Sequence, residues 1–421
     1  AVERETGLRL VGVDQLEPVL FPSPGLRARN LSIAGGEVLR NAAINALTVH
    51  LDLPQLLLGR VRVDAVTLAG ARLALDVGRP ISPRLRAAAA REERRLDTVR
   101  LRDVIVTFGE DAEAAPPLRV ASGELHWRDA DAPISFSGAV VWRDVAAELA
   151  FWAQKPVDLW NGRPSVVLAR LRSAPLTVEA QGEYVQGLGF RGHIDAQAAD
   201  LRALADRRLF DAPQLRRVGA ASVKAEAALT NRGLSFANAS IRLDDNAFEG
   251  SFSLRHEDCR PSLAATLASP DLDVSHWLSD APTLFTTRSD GRPAWSADRI
   301  DWSREAAADL DLRISAGRLR LPPYEASDVA LAVLMKGGRL ELTVSEATGY
   351  GGAARGRLRV APIADGVEAK GALTLTDVDL NQMPAPQTGS RRLRGALSGQ
   401  LAFEAQGATP KALAGSLDGR L

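Results

Sequence analysis

The stretch Asp309-Leu310-Asp311-Leu312-Arg313-Ile314 decides the fold class, and Arg339-Leu340-Glu341-Leu342-Thr343-Val344 repeats its reading. Apolar and polar residues alternate one for one. On an extended chain successive side chains point to opposite faces, so each stretch is a strand with one apolar and one polar side. The same alternation surrounds them. Leu319 and Leu321 alternate with arginines, and Val61 with Val63 and Leu73 with Leu75 repeat it near the start. Ile241 with Leu243, Leu358 with Val360, and Leu373 with Leu375 continue it.

Short Gly- and Asn-containing links join these segments: Asn231-Arg232-Gly233, Asp245-Asn246, Gly337-Gly338 and Gly349-Tyr350-Gly351-Gly352. Such residues tolerate the positive φ of hairpin turns. The expected fold is therefore mainly β: a long antiparallel sheet with a few short helices. One helix is expected from Ser82, as N-cap before Pro83, to about Leu96, and another from Asp200 to about Phe210. A pattern of Asp, Leu or Val, and a further apolar residue recurs at Asp52, Asp200, Asp273 and Asp379. An Asp capping a helical turn would tuck that turn against the sheet. The spacing is irregular, which argues against a fixed-period solenoid.

Composition narrows the function. The 421 residues carry 52 basic and 52 acidic side chains, so no global basic excess points to nucleic acid. One cysteine, Cys259, excludes an internal disulfide and a cysteine-built zinc site. Aromatics make up only 5% of the chain, and its apolar mass is chiefly Leu, Val and Ala. That suits a smooth aliphatic surface better than a stacking platform. No run approaches the ~20 apolar residues of a membrane-spanning helix. The chain lacks an initiating Met, and Gly415–Leu421 reads as the start of a further strand, so a piece of a longer protein is expected.

Candidates for chemistry are weak. His256-Glu257-Asp258-Cys259 falls where a hairpin turn is due, and four adjacent residues of an extended chain cannot converge on one ion. His50, His126, His193 and His276 form no H-x-x-x-H spacing, and Ser262 and Ser275 lack a nucleophile elbow. Gly349–Gly352 lacks the Lys of a phosphate loop. No pair of acids stands out for glycoside chemistry. The expectation is a non-enzyme without metal or cofactor. Trp152 and Trp160 flank Lys155-Pro156 and fit either core packing or a rim that meets headgroups.

In order along the chain stand Thr6-Gly7, a strand to Gly12, Phe21-Pro22-Ser23-Pro24, and Asn30-Leu31-Ser32-Ile33. Gly338-Arg339-Leu340, Tyr350-Gly351-Gly352, Val378-Asp379-Leu380, Leu397-Ser398-Gly399 and Ser416-Leu417-Asp418-Gly419 follow. This ordered set resembles the AsmA-like periplasmic proteins of Gram-negative bacteria. The family's Asn-Trp after the second strand pair has no counterpart at Gly78-Arg79-Pro80.

The resemblance implies a periplasmic protein anchored in the inner membrane by a helix ahead of Thr6. Its sheet would curl into an elongated apolar-lined groove like that of chorein-type bridge-like lipid transfer proteins. The implied role is phospholipid transport between membranes and outer-membrane maintenance, with phospholipid acyl chains as partners. Val61, Val63, Leu73, Leu75, Ile241, Leu243, Leu310, Leu312, Ile314, Leu340, Leu342, Val344, Leu358, Val360, Leu373 and Leu375 would then line the groove. An N-terminal region at 1–155, a central one at 156–290 and a C-terminal one at 291–421 are expected to share one groove. With ~25 strands at ~4.8 Å, such a sheet would run ~120 Å. A scaffold whose sheet edges bind outer-membrane or periplasmic proteins is the alternative.

Overall fold

Strand forms almost wherever the sequence alternates. The computed structural model describes residues 9–21, 23–35, 39–60, 62–75, 98–108, 117–128, 131–185, 189–206, 219–231, 233–257, 260–275, 285–287, 293–300, 302, 308–384 and 394–420. Strands take 74% of these residues and helices 6%, so the fold is mainly β with curved, unclosed sheet. The chain divides into two units, Ala1–Arg216 and Arg217–Leu421.

Unit 1 holds β1 (Arg9–Gly12), β2 (Gln15–Val19), β3 (Gly25–Ala34), β4 (Leu39–Leu51), β5 (Val63–Leu75) and β6 (Thr98–Phe108). It continues with β7 (Leu118–His126), β8 (Ile134–Trp142), β9 (Val145–Ala153), β10 (Ser165–Ser173), β11 (Leu176–Val185) and β12 (Gly189–Ala198). β1 and β2 lie end to end along one edge of β3. From β3 to β12 each strand pairs with the next.

Unit 2 holds β13 (Ala221–Thr230), β14 (Gly233–Leu243), β15 (Asn246–Glu257), β16 (Arg260–Asp273), and a separate hairpin of β17 (Phe285–Thr287) and β18 (Pro293–Trp295). Then come β19 (Asp309–Leu321), β20 (Tyr324–Lys336), β21 (Arg339–Gly349), β22 (Gly352–Ile363), β23 (Gly366–Asp379), β24 (Ala396–Gly407) and β25 (Asp418–Arg420). Its main sheet runs β13 to β16 and on from β19 to β25.

The meander is not wholly antiparallel. β5 pairs in parallel with β6, and β16 with β19. A parallel neighbour needs a crossover where a hairpin would reverse the chain. The helix expected at 82–96 falls in the first crossover, outside the described residues. Four short helices are described: α1 (Leu53–Leu57), α2 (Pro156–Trp160), α3 (Leu201–Asp206) and α4 (Pro410–Gly415). Asp52 caps α1 by accepting from the Gln55 N–H at 3.3 Å, and Asp200 accepts from the Arg202 N–H at 2.9 Å. Asp273 and Asp379 make the same short loop to Ser275 and Asn381. The α3 helix is described as far as Asp206, and the remainder of the helix expected to about Phe210 lies outside the described residues.

The strands bend at defined places. Leu319 and Leu321 belong to the same strand as Leu310, Leu312 and Ile314, with the alternation shifting by one residue at Gly317. In unit 1 the shift forms a line across neighbouring strands. The apolar side changes from Ala28 to Leu31, from Leu47 to Ile44, from Leu68 to Ala71 and from Leu101 to Val104. Asn30, Gly70 and Asp103 stand on this line with φ of 51°, 62° and 53°. That left-handed region suits Gly, Asn and Asp. Gly70 has a second constraint, because a Cβ there would lie 2.6 Å from Asn45 Nδ2. Each strand has one residue between its paired neighbours on this line, so the ladder keeps its register while the apolar side switches.

Candidate functional site

Registry gathers the predicted residues onto one face. In unit 2 Leu263, Leu310, Met335, Leu340 and Val360 form one cross-strand row. Ala265, Leu312, Val333, Leu342 and Leu358 form the next. Leu267, Ile314, Leu331 and Val344 form a third, which continues through Gly356 to Leu373 and Leu401. Leu375 follows on the same side opposite Ala354. In unit 1 Leu73 and Leu75 share a face with Val106 and Phe108. Val63 pairs with Leu51. Val61 lies outside the described residues.

Burial shows how this face is covered. Of the predicted residues described, only Ile241 is buried, at 8% exposure. Leu373 is exposed, and the rest are half-buried. A sandwich would seal such residues under a second sheet. Here each unit has one buried cluster made from a single face. In unit 1 it comprises Leu31, Ala42, Ile44, Ala71, Val104, Val106, Val120 and Val140. The side chains packed on it, such as Leu47, Leu68, Leu101 and Leu149, sit on that same face. In unit 2 Ile241, Phe248, Leu272, Ala316 and Val329 anchor the equivalent cluster beneath Ile314, Leu319 and Leu331. Burial of Val104 to 0% and Leu272 to 1% by neighbours on their own face fits a concave face, and the sheet is curved. The bent strands supply the concavity, so each unit is a trough with an aliphatic floor and half-open walls.

Rings fill gaps in the lining. Phe236 stacks on Phe252 with centroids 4.4 Å apart. Phe403 lies over Gly371, where an added Cβ would meet its ring at 2.2 Å. A larger residue at 371 would displace the ring.

The opposite face is charged and wet. Glu341 accepts from Arg357 Nε at 2.7 Å and Arg359 Nε at 3.2 Å, and the Arg357 hydrogen bond above all holds its carboxyl below the usual range. Lys370 lies 3.1 Å from Glu404 and 3.3 Å from Glu368, and these hydrogen bonds, Glu404 first, raise its pKa. Arg100–Glu124 and Arg170–Glu179 continue the pattern in unit 1. Opposite charges across strands fix registry and keep this face in water.

The residues considered for chemistry are dispersed. His50 bonds Ser23 at 2.9 Å and Thr67 at 3.3 Å, and burial, then Arg100, lowers its pKa. His126 pairs with Thr98 at 3.2 Å. Asp258, Cys259 and His276 lie outside the described residues. Among the described residues no group of three His, Cys, Asp or Glu is placed to hold a metal ion. Trp152 is half-buried on the face opposite the trough, since it pairs with Ser135 and Leu168. Among the described residues no helix is long and apolar enough to cross a membrane.

Sequence reading missed Leu331, Val333, Met335, Leu401 and Phe403 as members of the same face. The run Val329-Ala330-Leu331-Ala332-Val333-Leu334-Met335 is apolar throughout, so periodicity alone gives it no side. Cross-strand pairing with Leu310–Ile314 assigns it. No protein-family model, curated protein or solved structure matches the chain.

Proposed function

We propose that the two troughs hold phospholipid acyl chains, and that the protein binds or conducts phospholipid between membranes in the service of outer-membrane maintenance. On this reading it works in the periplasm from an inner-membrane anchor, as its resemblance to AsmA-like proteins implies. The observation that carries the proposal is, in each unit, a half-buried aliphatic face that no second layer covers among the described residues. An uncovered apolar face of this extent calls for an occupant. Each methylene of a guest chain withdrawn from water contributes ~0.8 kcal/mol. The cross-strand rows supply aliphatic contact without a charged side chain among them, so a chain can shift from row to row without breaking a polar contact.

The test is lipid mass spectrometry on protein purified without harsh detergent. Stoichiometric co-purified phospholipid supports the proposal. A lipid-free protein that captures unfolded β-barrel segments would overturn it in favour of an envelope assembly factor.

A further inference from the structure

Two phenylalanine rings in the trough floors lie in recesses that glycines leave. In unit 2 the row through Leu312, Leu342 and Leu358 runs on to Gly371, Phe403 and Gly419. The Phe403 ring fills the space over Gly371, where a Cβ would meet three of its carbons at 2.2 to 3.0 Å. Unit 1 repeats the device with other strands. Its row through Leu68 and Leu101 meets the facing glycines Gly123 and Gly138 before Leu149. The Phe136 ring, from the adjoining row, leans over both. A Cβ at Gly123 would lie 2.8 Å from its Cε2, and one at Gly138 3.0 Å from its Cζ. Both phenylalanines are half-buried, so each ring keeps a side towards the open trough.

These rings can yield in one direction. The strand ladder fixes the backbone beneath them. Leu401 and Ala405 flank Phe403 on its own strand, and Leu125 and Phe151 flank Phe136 across the ladder. A methyl group added at 123 or 371 therefore lifts the ring out of the floor, to the side where a guest chain would lie. Retention of an acyl chain is a sum over methylenes in contact, so lifting two of them clear weakens it by about tenfold. Phe suits the recess because its ring carries no polar atom that would need a partner there.

We propose that Gly123 with Phe136, and Gly371 with Phe403, are positioning residues that level the two aliphatic floors. The glycine seats the ring, and the seated ring lets an unbranched acyl chain lie in contact from strand to strand. This inference rests on the reading of the troughs as acyl-chain sites.

The experiment exposes the full chain to palmitoyl-oleoyl phosphatidylglycerol vesicles and counts the phospholipid it retains by mass spectrometry. A melting curve for each variant fixes a temperature at which it is folded, and lipid is counted there. Gly123→Ala combined with Gly371→Ala should hold lipid about tenfold less tightly than the parent. Gly371→Ala alone, the milder change, should lose the share that unit 2 holds. Adding Phe403→Ala to Gly371→Ala should restore most of that share, because the methyl group then has room. Gly12→Ala, where a Cβ meets nothing within 4 Å, should change neither lipid nor melt. A parent that retains no phospholipid overturns the acyl-chain reading, and this inference with it. A parent that retains lipid while the glycine variants retain as much overturns the levelling role alone. So does a loss of lipid that Phe403→Ala fails to reverse although the melt recovers, because the ring would then serve packing and not the guest.

Discussion

Placing Asp at Leu342 separates an open trough from a sealed core. Leu342 is half-buried, between Val333 and Leu358 in the same row. Full burial of a leucine is worth about 1.5–3 kcal/mol, so a half-buried one gives up about 1. The poorer strand propensity of Asp adds up to about 1 kcal/mol. The carboxylate keeps contact with water along the trough, so the several kcal/mol for burying an unpaired charge are not incurred. The expected loss is about 2 kcal/mol, or about 4–8 °C in melting temperature for a unit of this size. Ile241→Asp, within the unit 2 cluster, should cost about 4 kcal/mol or more, because that side chain is covered. Thr343→Asp, on the charged face opposite Arg357, should cost under about 1 kcal/mol. Denaturant melts of the three variants rank them, and bound lipid is read in parallel. If Leu342→Asp were as damaging as Ile241→Asp, something would seal this face and the trough would be wrong.

Three further outcomes follow from local geometry. Gly371→Ala should destabilise unit 2 by about 1–3 kcal/mol by pushing aside Phe403, and the penalty should vanish in a Phe403→Ala background, as a double-mutant cycle would show. Asn238, at φ 48°, should accept Gly with little change but lose about 1–2 kcal/mol as Val, measured by equilibrium denaturation. His50 has a folded pKa below its ordinary 6.5, so the unfolded chain takes up the proton first as pH falls. Its contribution is therefore present above about pH 6.5 and is lost as pH drops through the folded value, and His50→Gln should flatten that part of the stability–pH curve.

The strands and hairpins were legible because two-residue periodicity and turn chemistry are local. Gly337-Gly338 and Tyr350-Gly351 are the turns the sequence marks. Sidedness was less legible. At Gly317 the alternation changes phase inside one strand, so Leu312 and Leu319 share a face although an even number of residues separates them. At Asn30, Gly70 and Asp103 the same shift sets the line along which unit 1 bends. Only partners in neighbouring strands specify such shifts, and those partners are distant in sequence. The parallel steps at β5–β6 and β16–β19 were hidden for the same reason, since no local signal says whether a long link ends in a reversal or a crossover.

The central claim is that lipid occupies the apolar face, and site-specific photo-crosslinking tests it most directly. A photoreactive phenylalanine analogue at Leu312 or Leu358 faces the trough, whereas the same group at Arg313 or Arg359 faces the charged side. Irradiation in cells followed by mass spectrometry should give phospholipid adducts at Leu312 and Leu358 and none at Arg313 and Arg359. Adducts spread equally over both faces, or protein adducts alone at Leu312 and Leu358, would contradict the account.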